Sequence, residues 1–467
     1  MRKPIQATVV LLLASCVVGP DYKKPEREAP ATWSEASGDK ISSEPADLQS
    51  WWTAFGDPVL DSLVQRATEA NLDLKIAAAR VREARAAAGR SRAEKNPEID
   101  GTASFTRERL SENGAVPVVG DPQGNLYSAG FDARWELDVF GGKERAVEAA
   151  DADVGASIED RRAVLVSLLG EVARSYVELR GEQREAAVVR RNIAAAQSTL
   201  DLTRSRFQGG LATELDVARA EALLANTQAP LPRAEAAARV AIHRLGVLLG
   251  VQPGDLAKEL EAEAPIPVPP HRILVGLPSE LLDRRPDVRR AERELAAATA
   301  RTGVAMAERY PKFSISGGFG LESANASDFA DAASRAWSIG PSVRWPLFSG
   351  GRILADIEIQ DARTEQALLA YRQSMLSALE DVENSIVDYL REWDHRRARE
   401  AAATAGRKSV ELADDLYRKG LTDFLDVLDA ERGLYDAELE LARSEAAASL
   451  SVVSLYKALG GGWKLES

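Results

Sequence analysis

The spacing of apolar residues follows a helical period through two long stretches, one in each half of the chain. In each stretch, apolar residues recur at alternating steps of four and three, the spacing of helices that pack along one seam. From about Lys143 to Phe207, and again from about Arg352 to Tyr417, no proline and little glycine interrupts the pattern. The sequence therefore predicts two helices of about 65 residues. Their seam positions are Leu165, Leu169, Val172, Tyr176 and Leu179 in the first and Met375, Leu379, Val382, Ile386 and Tyr389 in the second.

Ahead of each helical stretch the period changes to two, which is typical of strands with one apolar and one polar face. The alternating runs are 99–105, 129–137, 313–321 and 337–347. Their length is near the roughly 9–11 residues of a tilted membrane strand. Two interpretations remain open: strands that face lipid, or an ordinary antiparallel sheet packed on a core. Trp135 and Trp345, near the strand ends, fit either an interfacial aromatic belt or a packed core.

The two halves are copies of one unit, offset by about 210 residues. The peptide "FQGGLATELDVARAE", from Phe207, matches "YRKGLTDFLDVLDAE", from Tyr417, and the helix and strand patterns match at similar offsets. The duplication predicts a first structural repeat of helix, β-hairpin and long helical hairpin (57–250), a proline-rich equatorial linker with a short helix (251–280) and a second structural repeat (281–460), followed by a C-terminal tail (461–467). The residues ahead of the repeats are predicted to be a lipoprotein signal peptide (1–15) and a lipidated N-terminal extended segment (16–56), from the leader pattern described below.

The matching peptides lie where each long helix ends and a second helix returns. Their residue types are those of helix caps: glycine for a left-handed C-cap, and threonine or aspartate for an N-cap. The predicted caps are Gly210 and Gly420 at the C-termini, Thr213 and Asp423 as N-caps, and Asp216 and Asp426 at the capping-box position. Pro230 and Pro232 should kink or split the first returning helix. The second, from Asp423 to Leu459, contains no proline.

The N-terminus has the pattern of a secretory leader. Arg2 and Lys3 precede an apolar run that ends in "LASC". This is the form of a lipobox, in which Cys16 becomes the first mature residue and carries a diacylglycerol and an N-acyl lipid. A plain signal peptide that contains a cysteine is the alternative. Val17, rather than an aspartate, follows Cys16 and favours the outer membrane as the destination.

Composition and charge argue against several classes of function. The net charge is -13, and no basic stripe indicates binding to nucleic acid. His243, His271 and His395 are scattered without the spacing of metal ligands. The sequence contains no phosphate-binding loop and no nucleophile elbow, and "GGFG" at Gly317 falls in a predicted strand. We therefore expect no enzyme activity, no metal and no cofactor other than the lipid on Cys16.

The strands predicted for one chain are too few to close a barrel, which needs about eight. Copies of the chain must therefore pool their strands. A dimer would give a filled barrel, and a trimer a wider barrel with a bore. The long helices would then extend away from the membrane, with the matching peptides at their far tips.

Four separated motifs carry a resemblance to a known family: "CVVGPDYKKPE", "WWTAFGDPVLDSLVQRATEANLDL", "LLDRRPDVRRAERELAAATARTGVAMAERYP" and "GLTDFLDVLDAE". In this order they resemble the TolC/OprM-type outer membrane factors, in the lipoprotein branch often called NodT. The resemblance covers essentially the whole mature chain. It implies an α+β, mostly helical fold: a TolC-like homotrimeric channel with four transmembrane β-strands per chain in a shared β-barrel, and a long periplasmic α-helical barrel.

The resemblance also implies a function and partners. Channels of this family are exit ducts of tripartite efflux systems and passively conduct small molecules to the exterior. The expected partners are a periplasmic membrane fusion (adaptor) protein and an inner-membrane pump of the RND type, and the expected location is the cell outer membrane, extending into the periplasm. A type I-like polypeptide secretion duct and a periplasmic coiled-coil scaffold without a pore are the alternatives, although the four amphipathic strands argue against the scaffold.

Site residues follow from the family motifs. The periplasmic gate corresponds to Leu425 and Asp429, which are one turn apart on one helix face. Adaptor docking and tip capping correspond to Gly209, Gly210, Leu211, Thr213, Gly420, Leu421 and Asp423. Asp423 and Asp426 are also explained by capping and by the helix dipole alone. Asp429 lies beyond any cap, which favours a ring of like charges around a pore.

Overall fold

The computed structural model describes residues 17–26, 29–36, 40–44, 48–111, 113, 121–269 and 272–464. Its strands and α-helices are, in chain order, β1 (Ile41–Ser42), α1 (Pro58–Ala70), α2 (Leu72–Ala93), β2 (Glu98–Arg109), β3 (Gln123–Leu137), α3 (Gly142–Gln208), α4 (Glu214–Gln228), α5 (Leu231–Leu248), α6 (Ala257–Leu260), β4 (Ile273–Leu274), α7 (Pro278–Arg284), α8 (Pro286–Ala307), β5 (Lys312–Ser323), β6 (Arg335–Arg344), α9 (Arg352–Arg418) and α10 (Phe424–Ala458). The fold is α+β and mostly helical, which confirms the predicted class.

The two long helices are confirmed. Both α3 and α9 contain 67 residues. Most of their seam positions are buried, with Leu169 and Val172 of α3 and Val382 of α9 fully inaccessible to solvent. Leu165, Met375 and Leu379 are half-buried. Among the described residues, no helix combines the length and the apolar character needed to cross a bilayer.

The chain forms two compact units. The first comprises the described parts of Met1–Glu26, Arg80–Ser157 and Arg290–Tyr371, and it contains the four-stranded sheet. The second comprises the described parts of Arg27–Ala79, Ile158–Arg289 and Arg372–Ser467, and it contains both hairpin tips.

The sheet of the first unit is antiparallel, with the strand order β2-β3-β5-β6. Its register places Phe131 opposite Gly101 on one side and Phe319 on the other, and Phe319 opposite Trp337. These three aromatic side chains are exposed. The alternative of a sheet whose apolar face packs on the core of its own chain is therefore wrong.

The opposite face of the sheet is polar. Thr102 Oγ1 donates to the Asp132 carboxylate over 3.1 Å, and the hydroxyls of Ser104 and Ser128 lie 2.8 Å apart. Such cross-strand pairs stabilise a sheet in the predicted register. The two-residue period of the sequence thus corresponds to one apolar and one polar face.

The last predicted strand run is too long. β6 ends at Arg344, so Trp345 and Leu347 lie beyond it. Both strand-end tryptophans instead make a hydrogen bond to a helix terminus: Trp135 Nε1 donates to the Lys95 carbonyl over 2.9 Å, and Trp345 Nε1 donates to the Arg309 carbonyl over 3.1 Å.

An extended segment at the start of the described chain is anchored within the first unit. The Val18 amide donates to the Phe140 carbonyl over 3.1 Å. The buried guanidinium of Arg145 donates to the Val18 carbonyl over 3.1 Å and to Asp21 over 2.7 Å. Gly19 has φ +94°, and a Cβ there would lie 2.4 Å from the Cα of Gly303. A glycine is therefore required at this close approach.

The second unit has its own core and a polar network at the proline-rich linker. Arg285 pairs with Asp287 over 2.6 Å and with Asp381 of α9 over 2.8 Å. It also donates to the Ala458 carbonyl at the end of α10 over 3.2 Å. The "RRPD" motif therefore ties the start of α8 to α9 and α10. The predicted linker (251–280) contains a short helix, α6, and β4, which pairs in parallel with β1. A second short helix, α7, begins at the end of the linker and extends beyond it to Arg284.

The two returning helices differ as predicted. The first is split into α4 and α5 at Ala229 and Pro230, because Pro230 and Pro232 lack the amide donors of the helix ladder. Pro230 nevertheless keeps helical dihedral angles, φ -70° and ψ -27°. α10 runs without interruption for 35 residues.

Candidate functional site

The two hairpin tips close through the same backbone turn. Gly210 and Gly420 have φ +73° and +72°, the left-handed conformation predicted for them. At the first tip, the Leu211 amide donates to the Arg206 carbonyl over 2.8 Å. At the second, the Leu421 amide donates to the Leu416 carbonyl over 2.9 Å. This is the Schellman pattern of a helix C-terminus, and it explains why the duplicated peptides keep a glycine at this position.

The N-caps of the returning helices are not equivalent. Thr213 and Asp216 form the predicted capping box, with the Thr213 amide donating to Asp216 over 2.9 Å and the Asp216 amide donating to Thr213 Oγ1 over 3.2 Å. Asp423 occupies the N-cap position of α10 but makes no side-chain cap bond. Asp426 instead accepts a hydrogen bond from the Thr422 hydroxyl. The predicted capping role is therefore confirmed for Thr213 and Asp216 and wrong for the side chain of Asp423.

The residues predicted to dock an adaptor lie at the exposed ends of the hairpins. Leu211 is 72% exposed and Leu421 is 70% exposed. Gly209, Gly210 and Gly420 lie in the same two turns, and a Cβ on Gly210 or Gly420 would meet nothing within 4 Å. Each tip therefore presents an apolar side chain on a backbone turn that is accessible within the chain.

The two predicted gate residues share one exposed face of α10. Leu425 is 54% exposed, and Asp429 is exposed one turn further on. They line a groove of about 470 Å³ together with Arg219 of α4, and with Arg432 and Asp436 of α10. Asp429 is thus separate from the capping residues, as the sequence indicated.

The buried side of α10 packs in an apolar cluster, two of whose α10 members, Leu428 and Tyr435, also line the groove. The cluster consists of Ala196, Leu200, Ala220, Leu223, Tyr417, Phe424, Val427, Leu428 and Tyr435. The rings of Tyr417 and Phe424 pack with their centroids 5.5 Å apart. The guanidinium of Arg206 lies 4.2 Å from the centre of the Tyr417 ring and donates to the Tyr417 carbonyl over 3.3 Å. One cation thus joins the end of α3 to the end of α9.

Two features of this region were not predicted from the sequence. One is the contact of Arg206 with Tyr417. The other is Glu431, whose carboxyl is buried beneath the gate face, and burial raises its pKa above the usual range. The available signal was periodicity, because Glu431 falls on the helix face defined by Phe424, Val427 and Tyr435.

Other sequence-predicted candidates lie elsewhere or outside the described residues. Cys16 and His271 belong to the segments that the structure does not describe. His243 lies in α5 and His395 in α9. Over the described ranges, no group of histidine, cysteine, aspartate and glutamate side chains has the arrangement of a metal site.

Comparison with known proteins gives a consistent result along the chain. A family profile described as "Outer membrane efflux protein" matches residues 63–251 and 277–461. Nodulation protein T of Rhizobium leguminosarum bv. trifolii is 31% identical, over 97% of this chain and 96% of the relative. The pyoverdine export outer membrane protein OpmQ of Pseudomonas aeruginosa is 34% identical, over 98% of this chain and 96% of the relative. The solved structure of the outer-membrane channel OprN has a TM-score of 0.90 and 36% identity, covering 96% of this chain and 100% of that one.

Proposed function

This chain belongs to the outer membrane efflux protein family, and from that premise we propose that it is the exit duct of a tripartite efflux system. The family membership confirms the resemblance found in the sequence. The protein is an outer membrane efflux channel. In the proposal it is a homotrimer that passively conducts small molecules from a periplasmic adaptor and an inner-membrane pump of the RND type. One relative is named for pyoverdine export, which supports a small-molecule cargo.

The observation that carries the proposal is the sheet of the first unit. Its apolar face, which includes Phe131, Phe319 and Trp337, is exposed. Its outer strands, β2 and β6, each pair with only one strand in the described part of the chain. Exposed apolar surface and free strand edges are costly in an isolated soluble chain. Pairing β6 of one copy with β2 of the next, and facing lipid with the apolar side, removes both costs.

In the proposal, the second hairpin tip is the periplasmic gate. Copies of Leu425 and Asp429 would form a constriction in which the carboxylates repel one another. Such a ring favours cations and makes closure depend on the packing behind it. The exposed leucines of the two tips, Leu211 and Leu421, are the proposed contact with the adaptor.

The N-terminus supplies a second proposed membrane attachment. Lipidation of Cys16 would place acyl chains one residue before Val17, which begins the described segment anchored within the first unit. A lipid of this kind requires a free thiol, and Cys16 is the only cysteine of the chain.

Conductance in planar lipid bilayers tests the gate. We expect the purified full-length protein to form channels, and the double variant Leu425→Ala with Asp429→Ala to raise single-channel conductance severalfold, because both the side-chain bulk and the charge ring are removed. The matched control is Leu215→Ala, at the position of the first tip equivalent to Leu425, which should leave the conductance unchanged. Unchanged conductance in the α10 variant would contradict the gate.

The bilayer recordings, together with an export assay in a host that lacks its own efflux channel, separate the alternative functions. A periplasmic scaffold without a pore would give no conductance with any variant. A polypeptide secretion duct would conduct ions but would not restore small-molecule resistance or export in a host that lacks its own efflux channel. Heat-modifiable migration of the purified protein on gels confirms that each variant has assembled before it is recorded.

A further inference from the structure

Glu431 lies on the buried face of α10, beneath the proposed gate. Glu431 is 5% exposed, and its neighbours on the same side of the helix are Val427, Leu428 and Tyr435 of the apolar cluster. Glutamate is rarely buried unless its carboxylate is paired with a cation. Its position two residues beyond Asp429 places a titratable group directly behind the gate.

The hydrogen bonds of Glu431 satisfy only half of its carboxyl group. The Thr199 hydroxyl of α3 donates to Oε1 over 2.6 Å. Oε2 is buried and has no hydrogen-bond partner among the described residues, and the same is true of the Tyr435 hydroxyl one turn further along α10. An ionised carboxylate in this position would be poorly solvated, because desolvation without a partner is costly.

The groups around Glu431 do not compensate for the burial. From α3, the neutral hydroxyl of Thr199 bonds to Glu431, whereas the Thr203 hydroxyl donates to the Thr199 carbonyl over 2.8 Å and Arg206 lies over the Tyr417 ring. α9 presents Asp414, whose carboxylate is paired with Arg418 over 2.8 Å. α4 contributes the apolar side chains of the cluster, and α10 itself contributes the Tyr435 hydroxyl. Across the described ranges, no cation is bonded to Glu431.

These surroundings decide the direction of titration. Burial raises the pKa of Glu431, the negative charge of Asp414 raises it further, and the hydrogen bond from Thr199 lowers it in part. The protonated carboxyl fits the packing, because it can share a hydrogen bond with Thr199 without carrying a buried charge.

The equivalent residue of the first repeat provides a contrast. Glu221 occupies the same place in "DVARAE" as Glu431 does in "DVLDAE". Its side chain is half exposed and pairs with Arg204 of α3 over 2.7 Å. The same residue type is therefore a surface ion pair in one tip and a buried, cation-free acid in the other.

We propose that Glu431 is a proton-linked positioning residue of the gate: its protonated form holds α10 against α3, and its ionisation releases the tip. The inference deepens the proposed function and rests on it. Release of α10 would move Leu425 and Asp429, which lie on the opposite face of the same helical turns. The closed tip is thus favoured at low pH, and opening is favoured as the pH rises.

The sign follows from proton linkage. A carboxyl group whose pKa is raised by packing binds its proton more tightly in the packed state than in the released state. The packing is fully stable below the pKa of the released state and loses stability as the pH rises through the raised pKa. For a single proton, the ratio of released to packed tips changes by up to about tenfold per pH unit between the two values.

Bilayer conductance measured as a function of pH tests the inference. We expect the open fraction of the natural protein to rise severalfold with pH. Glu431→Gln, which keeps the shape and cannot ionise, should stay in the closed state and lose this response. The matched control, Glu221→Gln, should keep the full response. Asp429→Asn removes the other carboxylate of the gate and should also keep a response to pH.

A second variant tests the hydrogen bond between Thr199 and Glu431 rather than the charge of Glu431 alone. Thr199→Val removes the donor that supports the ionised form, so the pH response should shift to higher pH. A response that survives in Glu431→Gln, or an unshifted response in Thr199→Val, would overturn the inference while leaving the channel in place. A natural protein that conducts at no pH would contradict the proposed function instead. Gel migration of the assembled protein excludes misfolding as the cause of a lost response.

Discussion

The two hairpin tips arise from one duplicated peptide, yet only the turn between the helices is the same in both. Gly210 and Gly420 adopt the same left-handed conformation. The returning helices differ: α4 begins with a complete capping box and ends after 15 residues, whereas α10 has no side-chain cap bond and continues for 35 residues. The conformation of the turn depends on local backbone geometry, and it is the same in both repeats. The capping and length of the helix that follows depend on the helices packed around it, and they differ between the repeats.

The neighbours explain the divergence. α10 contacts α3 through Glu431 and Thr199, and it contacts α9 where Gly406 leaves room for Leu434. It also packs on α4 in the apolar cluster. The corresponding glutamate of α4, Glu221, remains at the surface. The glutamate at this equivalent position is therefore buried in α10, which packs against α3, α9 and α4, and exposed in α4.

The largest expected effect concerns the apolar cluster of the second tip. Phe424 is buried against Tyr417, whereas the equivalent residue of the first tip is the exposed Glu214. Phe424→Ala should lower the free energy of opening of the second tip by about 3–5 kcal/mol, because it leaves a cavity in a packed cluster. Faster amide hydrogen exchange in the first turns of α10, with α4 unaffected, is the expected measurement.

The control for this prediction is Leu421→Ala, in the exposed turn of the same tip, which should change the free energy of opening by no more than about 0.5 kcal/mol. Protection of α10 that is equal in Phe424→Ala and the natural protein would mean that the cluster does not hold the second tip. The contrast between the tips would then need another cause.

A smaller effect tests what the tips share. Gly210→Ala and Gly420→Ala should each destabilise their own tip by about 1–2 kcal/mol, because an L-residue is strained at positive φ. The two losses should be equal, since a Cβ at either position meets no atom within 4 Å. Gly209→Ala, which has no positive φ, is the control. Unequal losses, measured by hydrogen exchange of each tip, would show that the two turns are not equivalent.

Features with a local cause were predictable from the sequence. The long helices, the proline break at Pro230 and the left-handed glycines all follow from periodicity or from the backbone chemistry of one residue. The error at β6 shows the limit of this reasoning. Alternation continues through Trp345, but Arg344 already pairs with Lys312, the first residue of β5, and no partner remains beyond it.

Features with a tertiary cause were not predictable. Periodicity places Glu431 on the apolar face of α10, but the bond that its carboxyl makes there, to Thr199, comes from 232 residues away in the sequence. Arg145 likewise reads as one charge among many in α3, although it anchors Val18 and Asp21. Burial of this kind depends on which helices meet, and a periodic pattern in one helix does not specify its partners.

The smallest predicted effect separates the two N-caps. Thr213→Ala removes the hydroxyl that accepts from the Asp216 amide, while the Thr213 amide keeps its bond to Asp216, and should cost the first tip about 1 kcal/mol. Thr213→Ser, which keeps the hydroxyl, should cost much less. Asp423→Ala should change the second tip by less than about 0.5 kcal/mol, because no cap bond is lost. Amide exchange at the first turns of α4 and α10 measures both. Equal losses at Thr213 and Asp423 would mean that Asp423 caps α10 in solution, and the second tip would then be held by its cap as well as by the packing around Glu431.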